Sequence, residues 1–370
     1  MPGSNIIDYV IEYGNSTFSE REFSTEDALV LCQFTYLKFE KLMAPMSENI
    51  VSVKELDASP LRESLFFDEW LQKENRALFK AMADSKRFEN LKMCLHINRV
   101  EKDTQFAALT FLLPDNTVLV VFRGTDENLV GWQEDMGFAL ERPVTGQILS
   151  VKYINDVSER FGCRFKVAGQ SKGGNLAIYA SLMARKEARD RIDNIYSFDG
   201  PGFRKEFLKA KGYDDIKGRV IKVIPKSSIV GMILDEGKDS MVVEARSLGF
   251  SQHNPYMWVI KQGKLCKTEQ TEAHKKLTES VNEWILDKDE NQLERFVKLL
   301  NSLMDSPDAN TTREYMKGFL RNTTKVIKAA TDIDEDTKKF AASFVKSYFE
   351  ILMDMIKEEM ADNPFFEKKS

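Results

Sequence analysis

Behind Ser24-Thr25-Glu26-Asp27, a stretch with the form of a helix start, Ala28, Leu31, Phe34, Thr35 and Leu37 follow with apolar helical spacing. Residues 1 to about 90 read as mainly helical. The period then shortens. Residues 95–100, 106–113 and 117–122 read as strands, the last two joined into a hairpin by Pro114-Asp115-Asn116. From there the two periods alternate: helix over 151–161, strand over 165–168, helix over 174–186, strand over 192–198. Further strands are predicted over 219–224, 241–246 and 257–260. Such alternation predicts an α/β layered domain with a mostly parallel central sheet. After about residue 270 the chain is charged and helical, with no strand signal. Its last helix carries Phe340, Phe344, Tyr348, Leu352 and Met355 on one face, which suits packing on its own domain or a cap or partner surface. The expected organisation is a helical lead-in over 1–90 packed on the core, an α/β core over 91–270 and a C-terminal helical region over 271–370.

Composition narrows the function classes. Of 370 residues, 42% are hydrophobic and 30% charged, ample for a sizeable core. A net charge of -5 without a long basic run argues against a nucleic-acid partner. Cys32, Cys94, Cys163 and Cys266 lie far apart in mostly apolar surroundings and read as buried thiols. No His, Cys or carboxylate cluster has metal spacing, and no cofactor is expected. The segment from Gly231 to Gly237-Lys238 is one residue too long for a phosphate loop and has Asp239 where Ser or Thr is required. Met1-Pro2-Gly3-Ser4-Asn5 lacks a basic region followed by an apolar run, and no stretch is apolar enough to span a bilayer. A cytoplasmic location is the expectation.

The chemistry concentrates at Gly169-Gln170-Ser171-Lys172-Gly173, between the strand ending at Ala168 and the helix opening at Gly174. A serine on a sharp strand-to-helix turn needs small neighbours, because backbone passes close by. The turn lifts the hydroxyl above the sheet and aims the next N–H, that of Lys172, at a developing oxyanion. Such a serine needs a base, and the base needs an orienting acid. Of three histidines, His96 lies in an apolar strand and His274 in a charged helix start. His253 lies in a turn-rich segment after the last crossover, where a terminal base belongs. For the acid, Asp199 closes the strand after the elbow and begins Asp199-Gly200-Pro201-Gly202. It either points to the same sheet edge as Ser171 or merely caps the Gly-Pro turn. Asp235 and Glu236 are the reserve candidates. A second oxyanion donor is expected after Phe122-Arg123-Gly124, at Thr125. The segment beyond it carries Leu129 and Trp132, suited to covering an acyl chain or to a buried helix face.

Together these residues resemble the class 3 (fungal-type) lipases. In those enzymes a strand ending Phe-Arg-Gly-Ser or -Thr supplies an oxyanion donor and a tryptophan-bearing lid follows, as Phe122-Arg123-Gly124-Thr125 and Trp132 do here. The family's Gly-His-Ser-Leu-Gly-Gly is similar to Gly169-Gln170-Ser171-Lys172-Gly173-Gly174, and its terminal histidine to His253 with Trp258. The chain is more closely similar to a bacterial family of lipase-like α/β-hydrolases. That likeness is carried by Asp8-Tyr9, Phe198-Asp199-Gly200-Pro201-Gly202-Phe203, Pro225-Lys226-Ser227-Ser228-Ile229-Val230-Gly231 and Gln252-His253, and spans roughly residues 5 to 262. The resemblance implies an α/β-hydrolase fold and a serine hydrolase acting on a carboxylic ester, a small-molecule or lipid substrate. Two departures stand out. The class 3 lipases carry their aspartate where this chain has Ser228, and a histidine where it has Gln170, a change read as one of packing. The missing acid keeps open a non-catalytic lipid- or protein-binding scaffold. An acyltransferase with the same nucleophile is the third reading.

Overall fold

In the computed structural model, residues 4–67, 71–101, 104–125, 143–235, 239–247 and 249–289 are described, together with Gln292 and residues 335–340, 342–343 and 346–347. The chain opens with helices started by their own side chains. Asn5 caps α1 (Ile6–Tyr13), accepting from the N–H groups of Ile7 and Asp8, and Asp8 accepts in return from Asn5 N–H. Ser24 and Asp27 make the same reciprocal box at the start of α2 (Thr25–Phe34), where the sequence pattern predicts it. The Asp27 carboxylate has a second partner. Fully buried, it accepts from Arg87 Nη2 at 2.5 Å and Arg87 Nε at 2.8 Å. Arg87 follows α3 (Gln72–Ala83), and its other side-chain hydrogen bonds go to the carbonyls of Ser16, Thr17, Arg21 and Glu22. These bonds compensate the cost of burying two charges and tie the lead-in together.

Among the described residues eight strands form one sheet in which spatial order follows chain order: β1 (Val51–Ser52), β2 (Lys92–Glu101), β3 (Thr104–Leu112), β4 (Val118–Phe122), β5 (Phe165–Gln170), β6 (Ile192–Phe198), β7 (Val220–Pro225) and β8 (Ser240–Val243). Strands β1 to β4 pair antiparallel and β4 to β8 parallel. Every residue of β4 and β5 is buried, as parallel strands covered on both faces must be. The period of two divides β4 between two cores. Leu119 and Val121 join the core made with α1, α2 and α3. Val118, Val120 and Phe122 join the core made with α4 (Thr145–Phe161) and α5 (Lys172–Met183). The result is the α/β-hydrolase fold, a sheet between helical layers with the lead-in as one of them.

Three expectations are corrected. Residues 257–260 are not a sheet strand. Pro255 opens a single 3-10 turn, Pro255–Met257, held by the Asn254 side chain, and a proline cannot donate to a ladder. Ile260–Lys261 instead pairs with Lys264–Leu265 in a separate hairpin. The helix expected from 151 begins at Thr145. Cys32 and Cys94 are buried, but Cys163 and Cys266 are half-exposed, and all four thiols are free. After the hairpin comes α6 (Glu272–Asp287), whose Trp284 ring stacks on Phe340 at 4.3 Å. Phe344, Tyr348, Leu352 and Met355 lie outside the described residues. Among the described residues no helix is long and apolar enough to cross a membrane.

Candidate active site

Ser171 sits between β5 and α5 with φ 58° and ψ -129°, a conformation that L-residues adopt only under constraint. The constraint is close packing on every side. The Ser171 N–H donates to Phe198 O of β6 at 2.8 Å, and Gly174 N–H donates to Ser171 O at 2.9 Å. A side chain at Gly173 would strike the Phe122 carbonyl, and one at Gly169 the Gly173 carbonyl. The glycines are therefore required by approach, as the motif predicts.

Next door, β6 pairs with β5 so that Phe198 lies opposite Gln170. Asp199 is one residue further, beside the elbow, with φ 50°. The Asn175 amide of α5 donates to Pro201 O at 3.2 Å and Gly202 O at 3.1 Å, and its Oδ1 accepts from Gln147 at 3.0 Å. These bonds hold the Asp199–Gly202 segment against the helix.

His253 closes the constellation. Its Nε2 lies 2.8 Å from Ser171 Oγ and its Nδ1 2.6 Å from Asp199 Oδ2. The loop carrying it is pinned by buried neighbours. The Trp258 indole N–H donates to Gln252 O at 2.7 Å. Gln252 Oε1 accepts from Ser227 N–H at 2.9 Å, and Gln252 Nε2 donates to Ser247 O at 2.7 Å. The other oxygen of Asp199, Oδ1, accepts from the Ser228 hydroxyl and from Gly231 N–H at 3.1 Å. Both carboxylate oxygens are thus engaged by His253 and the 228–231 turn, and not in capping Gly200-Pro201. Ser228, at the place of the acid in class 3 lipases, here holds the acid-bearing side chain of another strand.

The remaining candidates separate. Gly124 packs against the elbow; a Cβ there would lie 2.7 Å from Gln170 O and 3.1 Å from Ser171 Cβ. Buried Thr125 follows it directly. Lys172 opens α5, where backbone N–H groups point out of the helix. Its own side chain turns inward and donates to Gln105 O at 2.7 Å. Asp235 pairs with Lys222. His96 is buried against Phe39, and burial pushes its pKa down to about 4. His274 is buried behind the 228–231 turn, its Nε2 2.7 Å from Ser228 O, and burial lowers its pKa as well. Leu129, Trp132 and Glu236 lie outside the described residues. The sequence reading missed Ser228, Gln252, Asn175 and Tyr36; for the first two, the phrases Ser227-Ser228 and Gln252-His253 were the only signal.

A sheet of this order carrying a serine, histidine and aspartate in one hydrogen-bonded line defines a lipase-like α/β-hydrolase-fold protein. The family model described as Mbeg1-like matches residues 82–302, more than half of the chain, and the chain belongs to the Mbeg1-like family. No curated protein matches the sequence. Among solved structures, the native lipase propeptide complex of Rhizomucor miehei aligns at 13% identity and TM-score 0.34, covering 58% of this chain and 66% of that one, just under two thirds of its length. M37 lipase aligns at 13% identity and TM-score 0.35, covering 57% of this chain and 70% of that one.

Proposed function

We propose that the protein is a serine hydrolase that cleaves carboxylic esters through an acyl-enzyme. The observation that carries the reading is the continuous line Asp199 Oδ2, His253 Nδ1, His253 Nε2, Ser171 Oγ, with spacings of 2.6 Å and 2.8 Å at its two hydrogen bonds. In this mechanism Asp199 accepts from Nδ1–H and leaves the Nε2 lone pair facing the serine. His253 takes the proton as Ser171 Oγ attacks the ester carbonyl. The N–H groups of Thr125 and Lys172 receive the oxyanion. Collapse expels the alcohol, which takes the proton from His253, and water then releases the acid by the same route reversed.

The non-catalytic alternative drew its support from the absent acid at Ser228. The contact of Asp199 with His253 supports the catalytic reading instead. The test is labelling by a fluorophosphonate probe together with hydrolysis of p-nitrophenyl esters of graded chain length. Labelling of the parent and not of Ser171→Ala is the expected result. A folded parent that neither labels nor turns over any ester would sink the proposal, and transfer of the acyl group to an added alcohol in preference to water would replace hydrolase by acyltransferase.

A further inference from the structure

Gln170 stands where the lipase resemblance leads one to expect histidine, and by sequence the change reads as packing. Its carboxamide instead reaches the site. Gln170 Nε2 donates to the backbone carbonyl of His253 at 3.1 Å and lies 3.4 Å from the ring Nε2, the nitrogen that faces Ser171. A carbonyl oxygen only accepts, so the amide's NH₂ end faces His253 and its Oε1 faces away. The Tyr36 hydroxyl meets that Oε1 as donor, at 2.6 Å. Tyr36 belongs to the lead-in, 134 residues away in sequence, and is buried. Its hydroxyl also occupies the space a side chain at Gly124 would need, so it borders both the loop before Thr125 and the elbow.

This orientation bears on the proton inventory of the ring. A neutral imidazole carries one N–H. A donor facing Nε2 favours the tautomer with its proton on Nδ1, the one in which Asp199 accepts and Nε2 keeps its lone pair. With the amide turned round, Oε1 would face two acceptors or force the opposite tautomer. We propose that Tyr36 and Gln170 are positioning residues for the Ser171–His253 pair: the Tyr36 hydroxyl locks the Gln170 carboxamide, and the carboxamide holds the His253 backbone and the Nδ1–H tautomer of its ring. The effect on turnover rests on the serine-hydrolase reading; the effect on the ring does not.

The experiment is an NMR titration of the His253 ring nitrogens in the substrate-free protein, with Gln170→Met, Gln170→Glu and Tyr36→Phe alongside the parent. Asp199 is unchanged in all of them, so differences report the contacts of Gln170 with the His253 backbone and Nε2. Methionine removes a donor that supports the neutral ring, so the His253 pKa rises and Nε2–H tautomer enters the neutral population. A glutamate carboxylate there raises the pKa further, and Tyr36→Phe falls between parent and Gln170→Met. In turnover, Gln170→Met is expected to lose about ten-fold in kcat with KM little changed, the scale of one hydrogen bond, and the acidic limb of its kcat profile moves up with the ring pKa. Thermal melts establish that each variant is folded. A folded Gln170→Met whose ring titrates as the parent's, with the same tautomer, overturns the proposal. A folded Tyr36→Phe with parental titration overturns the part given to Tyr36. If the parent hydrolyses nothing, the hydrolase reading fails while the ring titration still decides this one.

Discussion

Asp199 Oδ2 lies 2.6 Å from His253 Nδ1, a residue 54 positions further along the chain. The contact depends on two loops held by separate means. Asn175 fixes the segment after Asp199, and Trp258 with Gln252 fixes the segment around His253. Replacing Asp199 by Asn is expected to lower turnover by about ten-thousand-fold, because an amide can hold the ring in the wrong tautomer. Asn tolerates the left-handed backbone at this position, so the fold survives. Asp235→Asn, which weakens the pair with Lys222, retains near-parental kcat. Steady-state kinetics of the two variants would refute the assignment if Asp199→Asn were the less impaired.

Ser171→Ala and His253→Ala are each expected to cost on the order of a million-fold in kcat, and the double variant hardly more, since residues that act as one unit are not additive. His96→Ala leaves the chemical step nearly unchanged, because His96 is buried against Phe39, away from Ser171. Single-turnover kinetics on the four folded variants check this. A double variant much worse than either single one would show independent roles.

Gly124→Ala places a methyl group against the Tyr36 hydroxyl, 2.7 Å from Gln170 O and 3.1 Å from Ser171 Cβ. Backbone cannot yield there without moving the loop that carries Thr125. A loss of about a hundred-fold or more in kcat is expected, the scale of one oxyanion donor. Adding Tyr36→Phe removes one of the three conflicts and recovers only part of it. Parental kcat in Gly124→Ala would remove this loop from the mechanism.

Acid sensitivity should come in part from His96. Burial lowers its pKa from the ordinary 6.5 to about 4, with Arg123 adding to the effect and Glu40 opposing it. Between those values the unfolded chain binds a proton that the folded chain refuses. Stability from this group is therefore full above pH 6.5 and is lost as pH falls towards 4, by about 3 kcal/mol at most. Urea unfolding as a function of pH measures it. In His96→Gln the slope between pH 6.5 and 4 should flatten; an unchanged slope would assign the acid sensitivity elsewhere.

The pair Asp27–Arg87 is wholly buried, so Arg87→Met strands a carboxylate in the core. A loss of about 3–5 kcal/mol is expected. Denaturant titration gives the loss, and ester turnover per folded molecule stays near the parent's because the pair lies in the lead-in. A loss under about 1 kcal/mol would mean that water reaches the site.

The sequence by itself determined what depends on neighbours along the chain. Ser171 is legible because an elbow is local: a strand, two flanking glycines and a helix within twenty residues, each demanded by close backbone approach. The alternating periods likewise announce the layered sheet, and Ser24 with Asp27 announces α2. Tertiary structure decided what depends on register. By sequence Asp199 is the first choice of acid, with a turn cap as its alternative and Asp235 and Glu236 in reserve; it reaches His253 because β6 pairs with β5 at Phe198 and Gln170, one residue short of the elbow. The same holds for Ser228, which reads as a lost acid and proves to hold one, and for Tyr36, whose hydroxyl meets Gln170 only after the lead-in has folded onto the sheet. Hydrophobic period fixes which face a residue shows, whereas which residues meet across that face is set by the packing of whole elements, and no local pattern encodes it.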